Sequence, residues 1–165
     1  MGLIGKALVD ETWMEVSKYP YDKMVEESGC FLEAQPNALS FIMALTDDYG
    51  EGVRSLALYL AYVVFRIFEK NRGGKLPLIS KEAITGAFEA NEKWLESMRS
   101  MDDKLLERRI KYSEDFSQPF IIQYVLYALF EEEDDYGNYV NDDSRTVLLI
   151  ALKIFMDVLD GITEG

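Results

Sequence analysis

Two stretches carry apolar residues on every side of a helical wheel: Leu56 to Phe68 and Val147 to Leu159. A helix that is apolar all round has no face to offer water, so it belongs inside a protein or a bilayer. The first stretch runs uncharged only from Leu56 to Phe65, between Arg54 and Arg66. That falls well short of the roughly 20 apolar residues a membrane span requires. The pattern therefore predicts two central helices in an all-α domain that does not enter a membrane.

Helical periodicity dominates the rest. A first helix is expected over Leu3 to Ser17, with Leu8, Trp13 and Val16 inward, ended by Tyr19-Pro20 because proline restricts its predecessor and donates no hydrogen bond. A second is expected over Asp22 to Ala34, with Met24, Phe31 and Leu32 as core contacts. Pro36 suits the first turn of a third, which carries Leu39, Ile42, Met43 and Leu45 and stops near Asp47-Asp48-Tyr49-Gly50. The central helix follows from Glu51 to Lys70 and is closed by Gly73-Gly74. Ser80 is placed to cap a fifth helix, Lys81 to Ser97, with Ile84, Phe88, Trp94 and Leu95 inward. A sixth is expected from Met101 to Tyr112, with Ser100 and Asp103 spaced as a capping box. A seventh runs from Pro119 to Glu132. After an acidic loop, Asp142, Asp143 and Ser144 are placed to cap the last helix.

Several signposts recur in the same order. Trp13, Gln35-Pro36, Asp47-Asp48-Tyr49-Gly50 and Arg54 are echoed by Trp94, Gln118-Pro119, Asp134-Asp135-Tyr136-Gly137 and Arg145. An apolar helix follows each arginine. This predicts an internal repeat, residues 1–74 and 75–165, of four helices each. A small helical unit cannot bury its apolar face alone, so two copies pack together.

Composition places the chain among globular proteins. Its 165 residues, 48 % hydrophobic and 28 % charged, suit one domain, 1–165, with a real core. A net charge of −13 opposes direct nucleic-acid binding, which depends on Lys and Arg displacing counterions from phosphates. By default the same charge keeps the protein in solution; the sharper reading is a basic partner, or mimicry of a nucleic acid. One cysteine, Cys30, forms no intrachain disulfide; among Glu26, Glu27 and Glu33 its thiolate is disfavoured, and it reads as a small core residue. The start of the chain has neither a secretory pattern nor a myristoylation motif, so a cytoplasmic, reducing location is expected.

The chain has no histidine. This removes Ser-His-Asp and Cys-His nucleophile systems, Cys/His zinc sites, the usual Glu-x-x-His di-iron site and histidine haem ligation. Asn71-Arg72-Gly73-Gly74-Lys75 lacks phosphate-loop spacing and reads as a helix end. Carboxylate chemistry survives the elimination, because Mg²⁺ and Ca²⁺ take oxygen ligands. The densest acidic run, Glu131 to Asp135, sits where it opposes a helix dipole; Glu131, Asp134 and Asp135 are the candidate cation ligands, although the run does not fit an EF-hand loop. Glu89 with Glu92, and Glu131 with Asp134, resemble in residue type the carboxylate pairs of MazG-like all-α nucleotide pyrophosphatases. That resemblance implies Mg²⁺-dependent hydrolysis of a phosphorylated small molecule as the alternative function.

Loop aromatics among acids offer large contact area at low entropic cost. Asp47, Asp48, Tyr49, Asp134, Asp135, Tyr136 and Tyr139 are the candidate partner-binding residues. Tyr59, Tyr62, Tyr124 and Tyr127 read instead as core residues whose hydroxyls reach the rim. The leading expectation is a non-enzymatic interaction or adaptor protein without a cofactor. Its expected partner is a protein, basic by charge complementarity, or a second copy of the chain.

Overall fold

The computed structural model describes residues 2–98, 108, 116–131 and 141–163. Among these residues there is no strand, and the architecture is an all-α single domain. The helices are α1 (Lys6–Ser17), α2 (Tyr21–Ala34), α3 (Pro36–Thr46), α4 (Glu51–Arg72), α5 (Lys81–Ala90), α6 (Glu92–Met98), α7 (Pro119–Leu126) and α8 (Asp142–Thr163). A 3₁₀ turn, Asp47–Tyr49, joins α3 to α4, and π-helical turns, Tyr127–Glu131, continue α7. The expected helix from Met101 to Tyr112, with its Ser100 and Asp103 cap, lies outside the described residues apart from residue 108.

Local chemistry sets most of the helix ends. Pro36 and Pro119 occupy the first turns of α3 and α7, where a missing N–H costs nothing. The Ser80 hydroxyl accepts a 3.0 Å bond from the Ala83 amide and caps α5. Gly73 closes α4 in the left-handed region, φ 81°, with its N–H donating to the carbonyls of Glu69 and Lys70. Gly29, by contrast, lies inside α2 with open space where a Cβ would sit. The two glycines should therefore respond with opposite signs to alanine. Gly73→Ala is expected to lower stability by about 1 kcal/mol because an L side chain crowds the left-handed conformation. Gly29→Ala is expected to raise it by about 0.5–1 kcal/mol through helix propensity. Urea titration of both variants checks the pair.

Three boundaries differ from the pattern-based expectation. α1 begins at Lys6 rather than Leu3: Gly5 before it is extended, and the Ile4 amide donates to the Gln118 side chain instead of entering a helix. The stretch from Lys81 to Ser97 is not one helix but breaks at Asn91 into α5 and α6. Asn91 closes α5 through its own N–H to Ala87 and Phe88, while its amide Nδ2 donates to the Ala87 carbonyl at 2.7 Å. The same side chain is held from α8, with Lys153 Nζ 2.6 Å from Oδ1 and Asp157 Oδ2 3.0 Å from Nδ2. Trp94 consequently lies on α6, whereas Trp13 lies on α1. At α8, Asn141 and Ser144 close a capping box: Asn141 Oδ1 accepts from the Ser144 amide at 2.9 Å, and Ser144 Oγ accepts from the Asn141 amide at 2.7 Å.

The core is shared by α4 and α8, which pack on each other. From α4, Val53, Leu60, Val63, Ile67 and Phe68 are fully buried; from α8, Leu148, Leu149, Leu152, Ile154 and Leu159 are. α1 and α3 cover α4, α3 and α5 cover α8, and α1 also packs on α7. No helix among the described residues is long and apolar enough to cross a membrane.

Several residues assigned to the interior lie outside it. Cys30 is exposed, as are Leu32, Met43 and Tyr127. For Cys30 and Leu32 the reason is that α2 rests on the domain by one edge and buries just Phe31. Met43 lies at the margin of the α3 face whose centre is taken by Ala38, Leu39, Ile42 and Thr46, the buried positions of that helix.

Candidate interaction surface

Helix α2 is amphipathic in an unusual sense, since its apolar residues fall on two faces. Met24, Glu27 and Phe31 turn toward the domain. Phe31 is the anchor, with ring centroids 4.8 Å from Phe65, 5.7 Å from Tyr62 and 6.2 Å from Phe155. Glu27 accepts a 2.9 Å hydrogen bond from the Tyr62 hydroxyl. Burial, followed by the hydrogen bonds with Tyr19 and Glu27, pushes the Tyr62 phenol well above its ordinary range. Tyr62 therefore stays neutral and holds α2 as a donor.

The second face points into solvent. Tyr21 is 82 % exposed, and Val25 and Leu32 are each 54 % exposed. With one turn of helix every 3.6 residues, these three side chains and the small Ser28 and Gly29 line one stripe. Asp22, Glu26 and Glu33 flank it and are exposed. A single surface leucine needs no explanation, but an aligned set of large apolar side chains with a charged border is the pattern of a contact surface.

Behind the stripe, between α2 and α4, is a cavity of about 440 Å³ lined by Glu27, Cys30, Glu33, Tyr62, Arg66 and Glu69, among others. Arg66 is tied to Glu69 at 2.8 Å. Burial works against the Arg66 charge, but the Glu69 hydrogen bond and charge outweigh it and hold the guanidinium above its usual range. A smaller cavity of about 290 Å³ lies between α1 and α7, walled by Trp13, Phe120, Tyr124 and Tyr127. Its rim carries Lys6 and Asp10, paired at 2.5 Å. The Asp10 carboxyl is held below its ordinary value by hydrogen bonds from Lys6 and then Trp13.

The acidic-aromatic loop residues are placed differently from this surface. Asp47, Asp48 and Tyr49 form the 3₁₀ turn before α4. Asp47 pairs with Arg54 at 3.4 Å, Asp48 is exposed, and Tyr49 is half-buried against the core. Asp134, Asp135, Tyr136 and Tyr139 lie outside the described residues. Glu131 ends the π-helical turns after α7. Glu89 and Glu92 sit on separate helices, α5 and α6, and both are exposed. Among the described residues, no three acidic or thiol side chains come together in a way that could hold a metal ion. No protein-family model, curated protein or solved structure matches the chain.

The sequence pattern places both Phe31 and Leu32 inward, whereas in the structure only Phe31 is buried. The signal was nonetheless present. Tyr21, Val25 and Leu32 share one helical register, Met24 and Phe31 share another, and only one register can face the core.

Proposed function

We propose that this protein is a helical interaction module that binds a partner along the outer face of α2. The exposed stripe of Tyr21, Val25 and Leu32 carries this reading. Tyrosine at a surface anchor supplies contact area with few rotatable bonds. The flanking acids and the overall charge of −13 fit a partner segment with apolar residues on one side and Lys or Arg beside them. An amphipathic helix laid along α2 would meet both requirements, with apolar anchors recurring at helical spacing.

The test uses the full chain against a displayed library of random helical peptides. Enriched sequences are expected to alternate apolar anchors with basic residues. Their binding, measured by calorimetry, should fall at least tenfold in Tyr21→Ser/Val25→Ser/Leu32→Ser and should weaken with salt. The melting temperature of that variant should not fall, because none of the three side chains is buried. Peptides that bind the triple variant as well as the native chain would place the contact elsewhere.

A further inference from the structure

Two buried glutamines receive two chain segments through the same pair of hydrogen bonds, and Gln118 Nε2 donates in addition to Asp160 Oδ1 at 3.0 Å. Gln35 immediately precedes α3 and Gln118 immediately precedes α7; both are buried. Gln35 Oε1 accepts from the Ile79 amide at 2.9 Å, and its Nε2 donates to the Pro77 carbonyl at 2.9 Å. Gln118 Oε1 accepts from the Ile4 amide at 2.9 Å, and its Nε2 donates to the Gly2 carbonyl at 3.3 Å. Each side-chain amide thus serves as a neighbouring strand would, pairing with the C=O of one residue and the N–H of the second residue after it.

The equivalence extends beyond the clasps. In each segment the middle leucine, Leu3 or Leu78, is 60 % exposed, and the following isoleucine, Ile4 or Ile79, is fully buried. Gly2 and Pro77 before the leucines, and Gly5 and Ser80 after the isoleucines, are exposed as well, so the two segments share one burial pattern. Gly5 (φ −71°, ψ 151°) and Ser80 (φ −81°, ψ 157°) then start α1 and α5 with nearly the same backbone. Gln35 (φ −135°, ψ 59°) and Gln118 (φ −126°, ψ 82°) also share a backbone conformation. The helices that follow the segments meet the helices that follow the glutamines. Trp13 of α1 stacks on Tyr124 of α7 at 5.9 Å, and Phe88 of α5 meets Phe41 of α3 at 6.3 Å. The sequence carries the same echo: Leu3-Ile4-Gly5-Lys6 and Leu78-Ile79-Ser80-Lys81.

We propose that the chain is a two-fold dimer fused into one polypeptide. Residues 1–74 and 75–165 are the two copies, and Gln35 and Gln118 are equivalent receptors, each for the Leu-Ile segment of the opposite copy. The exchange explains why α1 packs on α7 and α5 on α3, across the halves, while α4 and α8 meet at the centre. It also gives each glutamine a task beyond helix starting: it satisfies a buried N–H and a part-buried C=O of the segment it receives. The pairing of Trp13 with Trp94 is replaced by the pairing of Trp13 with Phe88. This inference does not depend on the role of the α2 face.

Equivalent receptors should accept each other's segments. The test is a chain carrying Gly2→Pro, Gly5→Ser, Pro77→Gly and Ser80→Gly, which interchanges the residues around the two Leu-Ile pairs. Its melting temperature is expected within about 5 °C of native, since serine gained at one cap offsets serine lost at the other. Replacing either Leu-Ile pair by Ser-Asn should instead lower the midpoint by more than about 10 °C. The second test is a circular permutant opened between Gly73 and Gly74 and closed by one glycine between Gly165 and Met1. That glycine makes the new connection as long as the one it replaces. The permutant is expected to melt cooperatively within the same 5 °C. A larger fall in the interchange chain, or a permutant without a cooperative transition, would overturn the equivalence.

Discussion

Lys153→Ala is expected to destabilise the domain by about 3–5 kcal/mol, a fall in melting temperature on the order of 10 °C. Lys153 is buried on α8, where a lone ammonium would be costly. Its charge is answered by Asp157 Oδ2 at 2.8 Å and by Asn91 Oδ1 at 2.6 Å. The faces of Trp94 and Phe116 lie 5.1 and 5.5 Å from Nζ, close enough for cation–π attraction. Alanine at this position removes the cation, opens a gap beneath the two rings and leaves Asp157 without its counter-charge. It also releases Asn91, which ends α5, so the turn between α5 and α6 should loosen with it. The double variant Lys153→Met/Asp157→Leu separates the contributions. Replacing both ends of a buried ion pair by packed apolar groups is often neutral, so this variant should recover most of the loss. Thermal melts of the two variants check the prediction, and a double variant no better than Lys153→Ala would show that the rings and Asn91, rather than the charge pair, carry the effect.

Phe31→Ala is the second large effect expected, again about 3–5 kcal/mol. The ring fills the space between α2, α4 and α8, against Tyr62, Phe65 and Phe155. Because α2 buries no other side chain, its docking depends on this one residue together with the Tyr62–Glu27 hydrogen bond. The damage should therefore be local as well as global. Hydrogen exchange is expected to speed up across residues 21–34 beyond what the change in overall stability explains, as for a segment that opens by itself. Exchange raised evenly over the whole chain would mean that α2 is held more firmly than its contacts indicate. The proposed partner surface rides on this helix, so Phe31→Ala should weaken peptide binding without touching the exposed stripe.

Much of the fold is legible in the residues taken alone. The apolar run around Leu60 and Phe68 is buried because no rotation of such a helix exposes a polar side. Pro36, Pro119, Ser80 and Gly73 mark helix ends by rules that act within one turn of the chain. Other features depend on partners distant in sequence. The break at Asn91 could not be read from Lys81 to Ser97, because the groups that hold it, Lys153 and Asp157, come from α8. The exposure of Leu32 and Cys30 follows from how α2 leans on Tyr62 and Phe65, and periodicity does not reveal which of two apolar registers is covered. Of the acidic-aromatic residues singled out for binding, Asp47, Asp48 and Tyr49 form a short turn with one ion pair, whereas the larger apolar exposure lies on α2.

The amino-acid sequence by itself determined that this protein is helical, where most of its helices begin and end, and which chemistries a chain without histidine cannot perform. Those properties are local or compositional, set by backbone sterics, capping and the residue types present. Tertiary structure alone decided which face of α2 is left to solvent, that Lys153 is buried against Asn91 and the rings of Trp94 and Phe116, and that Gln35 and Gln118 each grip a segment from the far half of the chain. The glutamine contacts join residues 42 to 116 positions apart, and their geometry exists only once both halves have packed.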